Sequence, residues 1–190
     1  MYIIVGLGNP GPEYQMTRHN AGYLALDLFA KQKKLTFKKG RGPYYISTFK
    51  LEKNSVVLVK PTTFMNLSGV AVREVIQYYK VEDLSKILIV LDDINLPFGT
   101  IRIRPSGSDG GQKGLRSVIN LLGTQNIPRL RIGIGNNFSD AVKYVLSPFS
   151  KSEKEDLDIV LQWTVEAIES FIINGIDFTM SRFNKHVLNN

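Results

Sequence analysis

The strongest constraint on the fold lies in the first twenty residues. Tyr2-Ile-Ile-Val5 is an unbroken apolar run that empties directly into Gly6-Leu-Gly-Asn-Pro-Gly-Pro12. Without polar alternation, such a run reads as a central strand covered on both faces, the situation found where helices flank a largely parallel sheet. Ala21, Leu24, Ala25 and Leu28 then recur at helical spacing, which predicts an amphipathic helix ending near Lys33-Lys34. Asn20 stands where an N-cap belongs, and the lysines suit the negative end of the helix dipole. Between strand and helix lie Gly6, Gly8, Gly11, Pro10, Pro12, Asn9 and His19. So much turn chemistry beside a titratable side chain predicts a loop held in one shape for a purpose.

The remainder repeats the alternation. Lys38-Lys-Gly-Arg-Gly-Pro43 reads as a basic, mobile connection. Tyr44 to Lys50 and Ser55 to Lys60 read as a hairpin turning through Glu52-Lys-Asn54. Pro61-Thr-Thr-Phe-Met-Asn-Leu-Ser-Gly69 enters a helix whose buried face is Val72, Val75, Ile76 and Tyr79. Ile87 to Leu91 is a second continuous apolar strand, stopping at Asp92-Asp93. Thr100 to Arg104 alternates, with Ile101 and Ile103 on one face and Arg102 and Arg104 on the other. Pro105 to Gly114 is a second glycine-rich loop, leading into a helix faced by Leu115, Val118, Ile119 and Leu122. Leu130 to Gly135 is the last strand. Ser139 is placed to cap a short helix over 140–146, and Ser152 with Glu155 has the spacing of a capping box for the longest helix. Gly175 marks its stop, and Ile176 to His186 is expected to add a final short helix. With no repeats or linkers, the pattern predicts one domain over residues 1–190, an α/β/α sandwich around a mixed, twisted β-sheet.

Composition narrows the chemistry. Cysteine is absent and only His19 and His186 are present, which removes disulfides, a thiol nucleophile and thiolate or histidine-rich metal sites. No apolar run reaches the roughly 18–20 residues needed to span a bilayer, and no secretory signal pattern opens the chain, so a cytoplasmic protein is expected. The formal net charge of +7 favours a polyanionic partner, nucleic acid first; the plainer alternative is a basic enzyme with a small anionic substrate.

Gly6-Leu-Gly-Asn-Pro-Gly11 matches the dinucleotide pattern G-x-G-x-x-G, but that reading requires a helix to start inside the motif. Pro10 and Pro12 interrupt any such start, and Asp27, at the distance expected of a ribose-binding carboxylate, lies within a helical pattern. Lys113 lacks the Gly-Lys-Ser/Thr context of a phosphate loop, and no G-x-S-x-G elbow occurs. What remains are polar residues at element ends: Asn9, His19, Asn66, Asp92 and the Gly110-Gly111 loop. Sites in open α/β sheets gather at the carboxyl ends of strands. Histidine is the natural general base near neutral pH, a carboxylate can orient it, and amides can hold water or polarise a carbonyl. Each residue also has a structural reading: His19 as a surface or capping residue, the asparagines as turn residues, and Asp92 as a strand-end cap, with Asp93 an equal carboxylate by composition. The inventory suits direct attack by water.

Taken together, Val5-Gly-Leu-Gly-Asn-Pro-Gly11 with Tyr14, Thr17-Arg-His-Asn-Ala-Gly22, Pro61 to Gly69, Asp92-Asp93, Gly110-Gly111 and Arg129-Leu-Arg-Ile-Gly-Ile-Gly135 closely resemble the bacterial peptidyl-tRNA hydrolase family over essentially the whole chain. The resemblance implies a metal-independent, cofactor-free, mostly monomeric esterase that frees tRNA from peptidyl-tRNA released by ribosomes. By position, His19 matches the family's base and Asp92 its orienting carboxylate. Asn9 and Asn66 match the asparagines that place the carbonyl and the water. Tyr14, Phe64, Met65 and Gly110 match residues around the substrate, with Tyr14 near the acceptor end. Arg104 and Arg131 match the basic pair that holds the 5′-phosphate of tRNA. The segment beside the longest helix matches a lid over the channel. One departure stands out: where the family loop commonly reads Gly-Gly-His-Asn-Gly, this chain has Gly110-Gly-Gln-Lys-Gly114. Lys113 replaces a substrate-contacting asparagine, and an ammonium donates hydrogen bonds but cannot accept them. The same resemblance leaves a second expectation, a non-catalytic RNA-binding relative like the family's plant intron-splicing factors.

Overall fold

The computed structural model describes residues 1–188. In chain order the strands are β1 (Tyr2–Gly6), β2 (Lys38–Lys39), β3 (Tyr44–Leu51) and β4 (Asn54–Pro61), then β5 (Ile87–Asp93), β6 (Thr100–Arg104), β7 (Arg129–Gly133) and β8 (Lys185–His186). The helices are α1 (Ala21–Gln32), α2 (Ser68–Tyr79), α3 (Lys113–Leu122), α4 (Ala141–Val145), α5 (Lys151–Asn174) and α6 (Ile176–Phe183). One sheet runs β2-β3-β4-β1-β5-β7-β6-β8. Its centre, β4-β1-β5-β7, is parallel, and the strands outside it are antiparallel. This is the mixed sheet expected from the apolar strands, the hairpin and the alternating Thr100–Arg104 strand.

Both faces of the parallel centre are apolar because both are covered. Ile4, Leu58, Leu88, Val90, Leu130 and Ile132 pack with Ala25, Phe29, Val160, Leu161 and Ile168 of α1 and α5. Ile3, Val5, Val57, Val59, Ile87, Ile89 and Leu91 pack on the other face with Val72, Val75, Leu115 and Val118 of α2 and α3. The result is three layers, helix on sheet on helix. The carboxyl ends of β1, β4 and β5 lie side by side and deliver Asn9, Met65 and Asp92 to one edge of the sheet.

Close backbone approach positions α1. A Cβ on Gly6 would collide with the Gly22 carbonyl oxygen, and one on Gly22 would sit 2.6 Å from the Leu7 nitrogen and collide with the Val90 carbonyl oxygen. Two facing glycines therefore let the first turn of α1 rest directly on β1 and β5. His19, three residues upstream of Gly22, is thereby brought to the end of β5.

Several boundaries differ from expectation. Lys38–Lys39 is not a loop but an edge strand paired to Tyr45 and Ile46. Strand β5 runs through both aspartates. Asn20 does not cap α1 with its side chain; its amide instead brackets Asn9, accepting from the Asn9 N–H at 2.8 Å and donating to the Asn9 carbonyl at 3.0 Å. The short helix is capped by Asp140 rather than Ser139. The capping box of α5 is Ser150 with Glu153, two residues earlier than predicted, because Ser150-Lys-Ser-Glu153-Lys-Glu155 satisfies the spacing twice. The terminal segment forms α6 and then β8, which pairs with β6.

Candidate active site

A cavity of about 300 Å³ opens at the carboxyl ends of β1, β4 and β5. Its polar wall is Asn9, His19, Asp92, Asp93, Gln112 and Lys113, and its apolar wall includes Phe64, Met65, Ile94, Val142, Val145 and Leu146. At its base His19 Nδ1 lies 2.9 Å from Asp92 Oδ2. Both residues are buried, with His19 9% and Asp92 2% exposed. A carboxylate only accepts, so this contact assigns the proton to Nδ1 and leaves Nε2 as the acceptor.

Asp92 Oδ1 accepts from Gln112 Nε2 at 3.0 Å. The pleat of β5 sends Asp93 the other way: its Oδ1 accepts the Asn95 N–H at 2.7 Å, and its Oδ2 stands 3.6 Å from Arg131. Composition left the two carboxylates equal, and position in the strand separates them.

Asn9 is held as firmly. Asn20 brackets its backbone, and its Oδ1 accepts the Met65 N–H at 2.7 Å. That last bond fixes which end of the amide is oxygen, so Nδ2 remains as a donor at the cavity wall. Met65, buried at the turn leading to α2, joins the strand ends through this contact. Asn66 also lines the cavity but is exposed. Phe64 lines it from the rim. Tyr14 lies outside the cavity wall, half-buried and edge-on to Phe64 with ring centroids 6.4 Å apart.

The second glycine loop closes the opposite side. Gly110 adopts φ +61° and Gly111 φ +86°, and Arg131 lies beneath them, donating to the Ser108 carbonyl at 2.8 Å. Arg129, 1% exposed, donates to the carbonyls of Ile127, Ser108 and Gln125 at 2.7, 3.0 and 3.0 Å. Burial, and secondarily the neighbouring Arg131 charge, push its guanidinium pKa down to about 10. Neither Arg131 nor Arg104 lines the cavity. Across the strands Arg131 opposes Arg102, and Arg104 opposes Arg129, so four arginines share one face of β6 and β7. Arg102 and Arg104 are exposed. Lys113, exposed at the first position of α3, reaches the cavity rim.

Two contributors were not singled out from the sequence, although Gln112 stands where the resembling family's loop commonly has histidine. Gln112 caps α3 through its side chain, although glutamine is not among the usual capping residues. Arg18, 7% exposed, donates to Ser147 Oγ at 2.6 Å and the Pro148 carbonyl at 2.8 Å, and pairs with Glu153 at 2.7 Å. It lies 4.2 Å over the Tyr144 ring, so the residue beside His19 anchors α4, the segment that walls the cavity. No group of His, Cys, Asp and Glu able to hold a metal ion occurs among the described residues.

Comparison with known proteins identifies the family. The family model described as peptidyl-tRNA hydrolase matches residues 3–190. The chain is similar to the peptidyl-tRNA hydrolase of Bacteroides fragilis, 45% identical over 97% of this chain and 98% of that protein. It is also similar to that of Thermodesulfovibrio yellowstonii, 42% identical over 97% of this chain and 100% of that protein. Among solved structures, peptidyl-tRNA hydrolase from Acinetobacter baumannii superposes with a TM-score of 0.91 at 31% identity, covering 98% of this chain and 97% of that one. Sequence and fold agree over nearly all of the chain, and the chain belongs to the peptidyl-tRNA hydrolase family.

Proposed function

We propose that the chain, acting as one domain and as a monomer in the cytoplasm, hydrolyses the ester joining a peptide to the 3′-terminal ribose of tRNA, with water as the nucleophile. The observation that carries this reading is the buried His19–Asp92 pair at the base of the cavity, 2.9 Å apart and beside the Asn9 amide. His19 Nε2 takes the proton from water as the oxygen attacks the ester carbonyl. Asp92 keeps the imidazole in the tautomer that makes this possible and stabilises the imidazolium that forms. Asn9 Nδ2 donates to the carbonyl oxygen as it becomes an oxyanion. Asn66, at the rim, holds the water. The ribose oxygen then leaves with the proton that His19 carries.

The surroundings of the pair support a large substrate. Phe64, Met65, Gly110 and the exposed face of α4 receive the peptide, and Lys113 binds a carbonyl or phosphate as a donor only. Tyr14 reaches the acceptor end through the outer side of Phe64. Arg104 and Arg131 hold the 5′-phosphate end of the acceptor stem, on a face whose charge also draws in the polyanion.

The test is hydrolysis of an N-acetylated aminoacyl-tRNA beside the same tRNA with its amino group free. The blocked substrate is cleaved and the free one poorly. His19→Ala lowers turnover about 10²–10⁴-fold, the scale of a lost general base. Equal rates for the variant and the wild type overturn the mechanism. Tight, salt-sensitive tRNA binding without hydrolysis would instead assign the chain to the RNA-binding reading.

A further inference from the structure

The buried carboxylate of Asp92 has two oxygens, and only one faces the histidine. The other accepts from Gln112 Nε2 at 3.0 Å, and Gln112 is itself 8% exposed. The far end of the same amide is committed: Gln112 Oε1 accepts the Leu115 N–H at 2.8 Å as the side-chain cap of α3. An amide whose oxygen is held by a backbone donor has no choice about where its nitrogen points. A continuous chain of hydrogen bonds therefore runs from the first turn of α3 through Gln112 and Asp92 to His19 Nδ1.

We propose that Gln112 is a positioning residue for the hydrolysis assigned above, fixing the Asp92 rotamer so that Oδ2 stays on His19. The inference rests on that reading of His19 and Asp92. Physically, a carboxylate with one oxygen undirected can rotate about its Cβ–Cγ bond and lose the angle to the imidazole. A second fixed donor removes that freedom and satisfies a lone pair that burial would otherwise leave unpaired. The donor is also uncharged and does not titrate across the working range. The titratable or charged groups around it are Asp92 and His19 in the hydrogen-bonded series, Lys113 at the next position, Asp93, which is turned toward Arg131, and the paired Asp109 and Arg116 that flank its backbone.

Two variants separate positioning from helix capping. Gln112→Ser keeps a favoured N-cap residue but is too short to reach Asp92. The expected result is a wild-type melting temperature within a few degrees, a KM within about twofold, and a kcat lowered about tenfold, the scale of one lost buried hydrogen bond. Gln112→Glu keeps both the length and the acceptor for the Leu115 N–H. It donates to Asp92 only while protonated, since an ionised carboxylate has no hydrogen to give, and the neighbouring Asp92 charge favours that protonated form. Its kcat should therefore fall as pH rises through a range where the wild type is flat. Unchanged kcat in the serine variant, a loss confined to KM, or a wild-type-shaped pH profile for the glutamate variant would overturn the proposal. His19→Ala keeps the two failures distinct. If that variant is inactive while Gln112→Ser is fully active, the mechanism stands and only the role of Gln112 falls.

Discussion

Asp92 and Asp93 are neighbours of identical chemistry, yet the alternation of β5 sends one to the imidazole and the other to a guanidinium. Asparagine substitutions should separate them. Asp92→Asn puts an amide against His19 Nδ1; its nitrogen end stabilises the wrong tautomer, so kcat for a blocked aminoacyl-tRNA should fall about 10²–10⁴-fold. Asp93→Asn keeps an acceptor for the Asn95 N–H and removes charge only from Arg131, so its effect should fall on melting temperature and on KM while kcat is largely kept. Steady-state kinetics on the two variants side by side checks this. The pair also marks the limit of what could be read from residue order. Asn9, His19, Asn66 and Asp92 were legible as cavity residues because each follows a strand or opens a helix with its polar group out of pattern, whereas Met65 came only from the family resemblance. Gln112 was not legible, since its role depends on a side chain reaching from α3 to β5. Asn20 does stand at the N-cap of α1, but its side chain brackets Asn9 instead of capping, and only the fold decides which bond forms.

At the scale of elements, the site depends on how closely α1 rests on the sheet. Gly22→Ala introduces a Cβ 2.6 Å from the Leu7 nitrogen, and neither neighbour is a flexible side chain that can move aside. Overpacking of this kind costs about 1–3 kcal/mol, and lifting the start of α1 draws His19 away from Asp92. Lower denaturant midpoints together with reduced kcat are expected, and a fully active, fully stable variant would contradict the role given to the contact. The second glycine loop depends on Arg129, whose guanidinium satisfies three carbonyls from two loops. Arg129→Lys keeps the charge but not the planar fork, so it should cost about 1–3 kcal/mol of unfolding free energy, the scale of buried acceptors left unpaired. Chemical denaturation measures it directly. Apolar periodicity predicted most of these elements and their buried faces, as with Val72 and Val75 of α2. It missed β2 and β8, because two-residue strands carry no periodicity and exist only through the neighbour they pair with.

Across the whole molecule, the parallel centre fixes the site and the antiparallel flanks finish the sheet. The outermost strands on both sides, β2 and β8, are each two residues long and read Lys38-Lys39 and Lys185-His186. An edge that is short and lysine-bearing is a poor template for pairing with another chain. Beneath β2 lies β3, an eight-residue strand with a full ladder to β4, which is the segment that lengthening or discharging the rim would expose. Replacing Lys38 and Lys39 together by isoleucine and valine should leave turnover intact but bring on concentration-dependent aggregation, visible by light scattering. The expected role of the same lysines is colloidal: they keep the rim of the sheet from pairing with another copy, a property that owes nothing to the chemistry at the ends of the central strands.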